Sequence, residues 1–430
     1  MAGQSPTHGS GADLAVVTER HDVVVVGAGL AGLRCAVDLA EAGADVVVLE
    51  ARHRVGGRVY SHRFDGGQWC ERGAEFIDAN HTSVLGLAAE LGLSITHRDG
   101  EIDPRAALID AAGRAVPMHL HASLDDDLRR WEHAVAALRD EDPLEGSTLD
   151  DLMRSLDLSA MSRLVIGRDI RTEYMLPPDS VSQRYAAHLA GVQQPGLRER
   201  HRLVGGLDQL ATGLAARLDH RLRLGTPVES IDDVVGSVRT ATGTIDAGAV
   251  VAAVPLPVLS RLWSGMPPEL GAVGYGIGGK ISIQFERRIW RDHGRDGTVL
   301  SDRTWGHLWE TTDDQSGDTG VLTNLLSSHD GAAFAALPEA PHRLIAEIER
   351  IFPGAKGLAG ERVHTDWTND PRSLGCYTCF GPGQWSASRP AVGAVHGRLH
   401  LAGEHTDDFA GFMEGALRSG AAVAARLVTR

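Results

Sequence analysis

The chain has 430 residues, of which 43% are hydrophobic and 23% charged. That is ordinary globular composition, with enough length to bury a sizeable core in more than one structural unit. Forty-two basic residues against 57 acidic ones leave a net charge of −15. This excludes the basic footprint that nucleic acid or an anionic membrane surface requires.

Residues 1–19 are polar and Gly/Ser-rich, without the basic start and apolar run of a secretory signal. They predict a flexible tail. Val23-Val24-Val25-Val26 reads as a strand buried on both faces. Gly27-Ala28-Gly29-Leu30-Ala31-Gly32 follows at once, then a helical pattern from Leu33 to Ala42 closed by Gly43. A second buried strand, Val46–Leu49, ends at Glu50. Helix-like patterns dominate from Thr82 to Asp219. Strand-like alternation returns at Leu222–Ile231 and at Val238–Val254, the latter with a hairpin-like Ala241-Thr242-Gly243. Ile281–Phe285 is a further strand candidate. Near the end, Leu399–Ala402 reads as a strand, Gly403–Asp408 as a polar loop and Met413–Val428 as a helix. No window reaches the ~18 apolar residues of a membrane span, and no C-terminal anchor is expected. Four cysteines make no disulfide framework and point to a reducing, cytoplasmic location.

The first unit has the strand–turn–helix–strand context that makes G-x-G-x-x-G informative. Gly27 allows the tight turn, Gly29 lets the backbone approach a pyrophosphate, and Gly32 lets the helix pack close to the strand. The helix N-terminus offers N–H groups and a positive dipole end to phosphate. Glu50, 18 positions after Gly32, sits where an acid binds ribose. A carboxylate there favours an unphosphorylated ribose, so FAD or NAD over NADP. Ala51, Arg52, Gly57 and Arg58 follow. The pair Gly56-Gly57 permits close backbone approach, and the arginines can pair with pyrophosphate.

The run from Val23 to Arg58 resembles the N-terminal signature of the flavin-containing amine oxidases. The resemblance continues through Gly73-Ala74-Glu75-Phe76-Ile77, Val204–Leu210 and Leu224–Val228. It ends with Leu401–Thr406 and Gly411–Ala416, so it spans most of the chain. It implies an α/β architecture: a discontinuous Rossmann-like FAD-binding domain (20–80, 203–262 and 395–430) and an α+β substrate-binding domain (81–202 and 263–394), monoamine oxidase-like. It implies that the backbone of Val228 contacts adenine and that Gly73-Ala74 lies near the isoalloxazine, with Glu75 beside it. It also implies that Gly403, Glu404 and Met413 close over the cofactor, with Glu404 at its ribityl or phosphate region. Glu75 reads either as an attractant for a cationic amine or as the partner of a nearby arginine such as Arg72.

Amine oxidation by a flavin needs little acid–base machinery, because the cofactor carries the hard chemistry. Forty of the 42 basic residues are Arg, and only Lys280 and Lys356 are Lys. Lys280 resembles the family lysine associated with reoxidation by oxygen, whereas Lys356 reads as a loop residue. Trp367 and the run Leu374-Gly375-Cys376-Tyr377-Thr378 are similar to the mammalian-type monoamine oxidases. There the cysteine bonds the flavin and the tyrosine is half of an aromatic cage, whose other half corresponds to Phe412. A thioether at Cys376 is left open. Cys376-Tyr377-Thr378-Cys379 fits neither a redox pair nor a zinc site, and no metal is expected.

The expected function is FAD-dependent oxidative deamination of a primary or secondary amine, through an imine to an aldehyde, with O2 reduced to H2O2. An L-amino-acid oxidase is the alternative within the class, and it needs an arginine to clamp a carboxylate. Arg171, Arg184 and Arg202 are the candidates. A non-amine FAD-dependent dehydrogenase or desaturase, and a flavin-binding protein without turnover, are the others. His81, His119 and His121 match no metal spacing. The expected partners are a small-molecule amine and O2, with no nucleic acid and no membrane; a homodimer is left open.

Overall fold

A computed structural model describes residues 17–96, 103–139, 145–193 and 201–429. The four-valine run forms the middle of a ten-residue strand, Val17–Val26. Val24 and Val25 have no solvent exposure, as expected of a strand covered on both faces. It pairs in parallel with Val46–Leu49 on one side and with Gly243–Ala252 on the other. The full first sheet has seven strands. Beyond Gly243–Ala252 lies an antiparallel meander with Ser237–Thr240 and Val228–Asp232. Leu222–Arg223 joins Val46–Leu49, and Leu399–Leu401 joins Gly243–Ala252. The helices Leu30–Glu41 and Met413–Val428 bury their apolar stripes in the core beside these strands.

A second seven-stranded sheet runs in the order Ala359–Asp366, Gly278–Phe285, Gly320–Ser327, His307–Glu310, Val299–Ser301, Leu108–Ala111, Arg114–Pro117. Its apolar face is fully buried at Ile281, Ile283 and Phe285. Leu344, Ile345 and Ile348 of the helix Ala340–Ile351 pack in the same core.

Four local expectations are corrected. Residues 1–16 of the expected tail lie outside the described residues. The last three, 17–19, belong to the first strand, because Gly243–Ala252 is long enough to pair back to Val17 at Thr244. The first helix begins at Leu30, with Gly29 as its N-cap, not at Leu33. Leu222–Ile231 is not one strand. Gly225 (φ +64°) and Pro227 break it, and its halves join opposite edges of the first sheet. Gly403–Asp408 is no solvated loop. It contains a 3-10 turn, Glu404–Thr406, with Glu404 and His405 buried.

Candidate active site

Residues of both sheets, and of the loops that follow them, wall one continuous cavity of about 1500 Å³, open mouth included. Gly27, Gly29, Glu50, Ala51, Arg52, Gly57, Arg58 and Val228 line it from the first sheet and its turns. Lys280, Trp367, Cys376 and Tyr377 come from the second sheet and the loop after it. Gly403, Glu404, His405, Phe412 and Met413 come from the last segment.

The three glycines of the turn do different things. Gly27 adopts φ +103°, and a Cβ there would lie 2.7 Å from Ala253 O. A Cβ on Gly32 would lie 2.0 Å from Gly27 O, so Gly32 sets the helix-to-strand approach and is not part of the cavity wall. Gly29 has nothing within 4 Å of its Cβ position. It caps a helix that has no side-chain cap and no acid in its first turn, which leaves that positive end for an anion. Glu50 is fixed at the wall: Ala28 N donates to Oε2 and Arg52 N to Oε1, both at 2.8 Å. Each oxygen keeps acceptor capacity for a hydroxyl.

His405 gives an independent sign that the cavity is made for a polar guest. It is 1% exposed, lines the cavity, and neither ring nitrogen has a hydrogen-bond partner in the protein. Burial lowers its imidazole to about 4, so it is neutral at ordinary pH. Native interiors rarely leave such groups unpaired. An uncapped helix end, a fixed ribose-type acid and an orphaned donor–acceptor ring together fit a dinucleotide cofactor.

Arg58 ties the first sheet to the last segment. Its Nη1 donates to Glu404 Oε1 at 3.0 Å and to Cys376 O at 2.8 Å. Thr378 N, Thr378 Oγ1 and Gly411 N also donate to Glu404. Burial opposes ionisation of Glu404, but Arg58, together with His405 and the N–H groups of Gly411 and Thr378, holds the carboxyl below its ordinary value. Arg52 is anchored on Asp370 and Ser373.

On the opposite wall, Trp367 donates its indole N–H to Arg72 O at 2.9 Å. Tyr377 donates its hydroxyl to Glu173 O at 2.9 Å, which fixes the ring in the wall. Phe412 packs against His81, with ring centroids 5.4 Å apart. Burial raises the Cys376 thiol to about 12.

Lys280 is buried in the wall, not on the surface, and its Nζ donates to Glu75 Oε2 at 2.8 Å. Of the two readings of Glu75, pairing with an arginine is the one seen, with Arg202 at 3.2 Å in place of Arg72. Its carboxylate does not line the cavity, and Arg72 instead donates to Thr365 Oγ1 and His364 O. Glu75 accepts from Lys280, Thr311 Oγ1 (2.7 Å) and Trp309 Nε1 (3.1 Å), and pairs with Arg202 at 3.2 Å. The three candidate arginines are engaged elsewhere: Arg171 with Gly167 O, Arg184 with Glu145, Arg202 with Glu75, Asp313 and Asp314. None of the three lines the cavity. His81 accepts from Asp78 N, and His119 lies against Pro104 O. Among the described residues no His, Cys, Asp and Glu cluster is arranged to hold a metal.

Several wall residues carried no sequence signal: Met175, Leu325, Val254 and Ser373. His405 carries one, its place inside the Leu401–Thr406 motif.

The model of the flavin containing amine oxidoreductase family matches residues 30–428. The chain belongs to that family, and it is an amine-oxidising flavin oxidoreductase. It is 27% identical to an L-amino acid dehydrogenase of Synechocystis sp. over 446 residues, covering 95% of this chain and 94% of the relative. It is 25% identical to the flavin-containing amine oxidase B of Sus scrofa, covering 94% of this chain and 85% of the relative. A solved structure of putrescine oxidase bound to putrescine has the same fold. Its TM-score is 0.84 at 22% identity, over 96% of this chain and 99% of the other. The expected family and the expected mixed α/β fold are borne out. No helix among the described residues is long and apolar enough to cross a membrane.

Proposed function

We propose that the cavity binds FAD and that the enzyme deaminates a primary or secondary amine. The observation that carries this is the joining of two kinds of wall in one space: a dinucleotide cradle from the first sheet, and a lysine with three aromatic rings facing it. The segments 20–80, 203–262 and 395–430 form the cofactor-binding unit in this reading, and 81–202 with 263–394 the substrate-binding unit. Gly29 and the helix end behind it hold the diphosphate, Glu50 the ribose and the Val228 backbone the adenine. Arg58, Glu404, Gly403 and Met413 close over the other half. FAD, when bound, supplies the two-electron acceptor that no side chain offers.

The chain's own residues do the rest. Tyr377 and Phe412 present ring faces that guide an amine and keep water out. Trp367, fixed by its bond to Arg72 O, closes the wall beside them. Such a slot holds the amine lone pair and the α-C–H bond in line for reaction. Lys280 faces the same space as a fixed cation. Overall, R–CH2–NH2, O2 and H2O give R–CHO, NH3 and H2O2, the imine being hydrolysed by the water. The four free, buried cysteines suit a reducing cytoplasm.

Amines are favoured over amino acids in this reading because Arg171, Arg184 and Arg202 do not line the cavity, and its wall arginines, Arg52, Arg58 and Arg372, belong to the cofactor end, with Ser373 beside Arg372 holding Arg52. Oxygen uptake and peroxide release are measured with a panel of primary and secondary amines against the L-amino acids. Turnover of amines alone is the expected result. Turnover of amino acids alone would replace this reading with that of the dehydrogenase relative. Acid precipitation of the flavoprotein settles Cys376 separately: colour in the pellet assigns a thioether to it, and colour in the supernatant leaves it as wall.

A further inference from the structure

A cavity that admits an amine and carries a lysine in its wall faces an electrostatic conflict. Alkylamines are cations near neutral pH, as lysine itself is. Two like charges several Å apart in a partly buried site repel by enough to cost tenfold or more in affinity.

The structure places a counter-charge directly behind that lysine. Lys280 Nζ lies 2.8 Å from Glu75 Oε2 and 5.5 Å from the centre of the Trp309 ring. The other carboxylate oxygen, Oε1, is held by Thr311 Oγ1, Trp309 Nε1 and Arg202 Nη2. Arg202 is in turn matched by Asp313 at 3.0 Å and Asp314 at 3.4 Å. Two cations therefore meet three carboxylates. Since the aspartates answer Arg202, the Glu75 charge is left for Lys280. The side chains of Glu75, Lys280 and Arg202 are each more than nine-tenths buried. Buried ion pairs of this kind contribute little net stability compared with apolar packing, so stability alone does not account for four further charges gathered behind one cavity lysine.

We propose that Glu75 is a positioning and specificity-determining residue that masks the Lys280 ammonium, so that a cationic amine can occupy the cavity and an anionic ligand is disfavoured. Arg202 fixes Glu75 in the orientation that does this. The inference rests on the amine reading above. Burial of Glu75 opposes its ionisation, but Lys280 and Arg202 outweigh burial and hold the carboxyl at about 2. The mask is thus present throughout the neutral range.

The test uses the FAD-loaded full chain as wild type, Glu75→Gln and Glu75→Asp. Two aromatic probes of opposite charge, benzyltrimethylammonium and benzoate, are titrated against the visible flavin spectrum. Glu75→Gln should weaken the cation about tenfold and tighten the anion about tenfold, since one negative charge is lost beside the site. Glu75→Asp keeps the charge and should leave both affinities within about threefold of wild type. A merely structural role for Glu75 predicts the same direction of change for both probes. Parallel weakening in Glu75→Gln, or no change in either probe, overturns the proposal. Failure of the amine reading is distinguishable: no amine would then reduce the wild-type flavin, whatever the two probes do.

Discussion

Gly27 and Gly29 are two residues apart and answer to different demands. Gly27 needs its left-handed backbone and the space beside Ala253 O. Gly27→Ala should destabilise the cofactor-free protein by about 2 kcal/mol or more, read by urea unfolding. Gly29 has φ −75° and empty space where a Cβ would go. Gly29→Ala should leave stability within about 0.5 kcal/mol yet weaken FAD about tenfold, read by fluorescence titration. Equal losses of stability in the two variants would contradict this division. Glu71 carries a different signature. Burial raises its carboxyl to about 7, against the bonds from Ser61 Oγ and Leu207 N. The folded state then keeps a proton that the unfolded chain releases near 4.5, so this group lowers stability as pH rises from 4.5 to about 7. His81 and His405 act the other way. Burial lowers both to about 4, so their contribution is lost as pH falls from 6.5 through 4. Glu71→Gln should therefore gain roughly 3 kcal/mol at pH 8 relative to wild type. It should also steepen the rise of stability between pH 4.5 and 6.5, where the two histidines already outweigh the one carboxyl. An unchanged slope would refute the shift at Glu71.

At the level of elements, the helices Thr82–Glu90 and Met413–Val428 are joined by one carboxylate. Glu414 is fully buried and accepts from Ser83 N at 2.9 Å, Val84 N at 3.1 Å and Thr82 Oγ1 at 3.3 Å. The helix has no side-chain cap of its own at His81. Glu414→Ala should cost about 2 kcal/mol by thermal or urea unfolding, because it strands buried N–H groups. A loss below about 0.5 kcal/mol would mean that water replaces the carboxylate. Both helices were legible, since apolar periodicity is local. That an acid in one caps the other was not, since it joins positions about 330 residues apart. The same divide runs through the rest of the chain. The valine strands, the Ala241–Gly243 hairpin and the last helix announce themselves by composition and turn residues. The hairpin Leu108–Pro117 does not. Its strand places Asp110 at zero exposure, with Ser301 and Arg350 both donating to Oδ2, and a buried acid disguises the alternation. The Gly403–Asp408 segment is hard to read for a related reason, because the carboxylate of Glu404 is answered by Arg58, Thr378 and the Gly411 N–H inside the protein. Lys280 stood out as one of two lysines, but Glu75, 205 positions away, could not be matched to it without the fold.

Across the whole molecule, the cavity exists because distant segments close on it. Arg58 reaches Glu404 and the carbonyl of Cys376, and Arg52 reaches Asp370 and Ser373. A ligand that bridges these walls should stabilise the native state by mass action, about 2.7 kcal/mol at a free concentration one hundred times Kd. Thermal unfolding with and without FAD checks this, and a melting temperature indifferent to FAD would count against a shared site. The central claim is tested most directly by one anaerobic experiment. The purified protein is loaded with FAD, and its absorption near about 450 nm is followed as a primary amine is added without oxygen. The account predicts a flavin band that bleaches with the amine and returns when oxygen is admitted, with one peroxide per amine consumed. A protein that takes up no FAD, or whose bound flavin is left coloured by every amine, would contradict it.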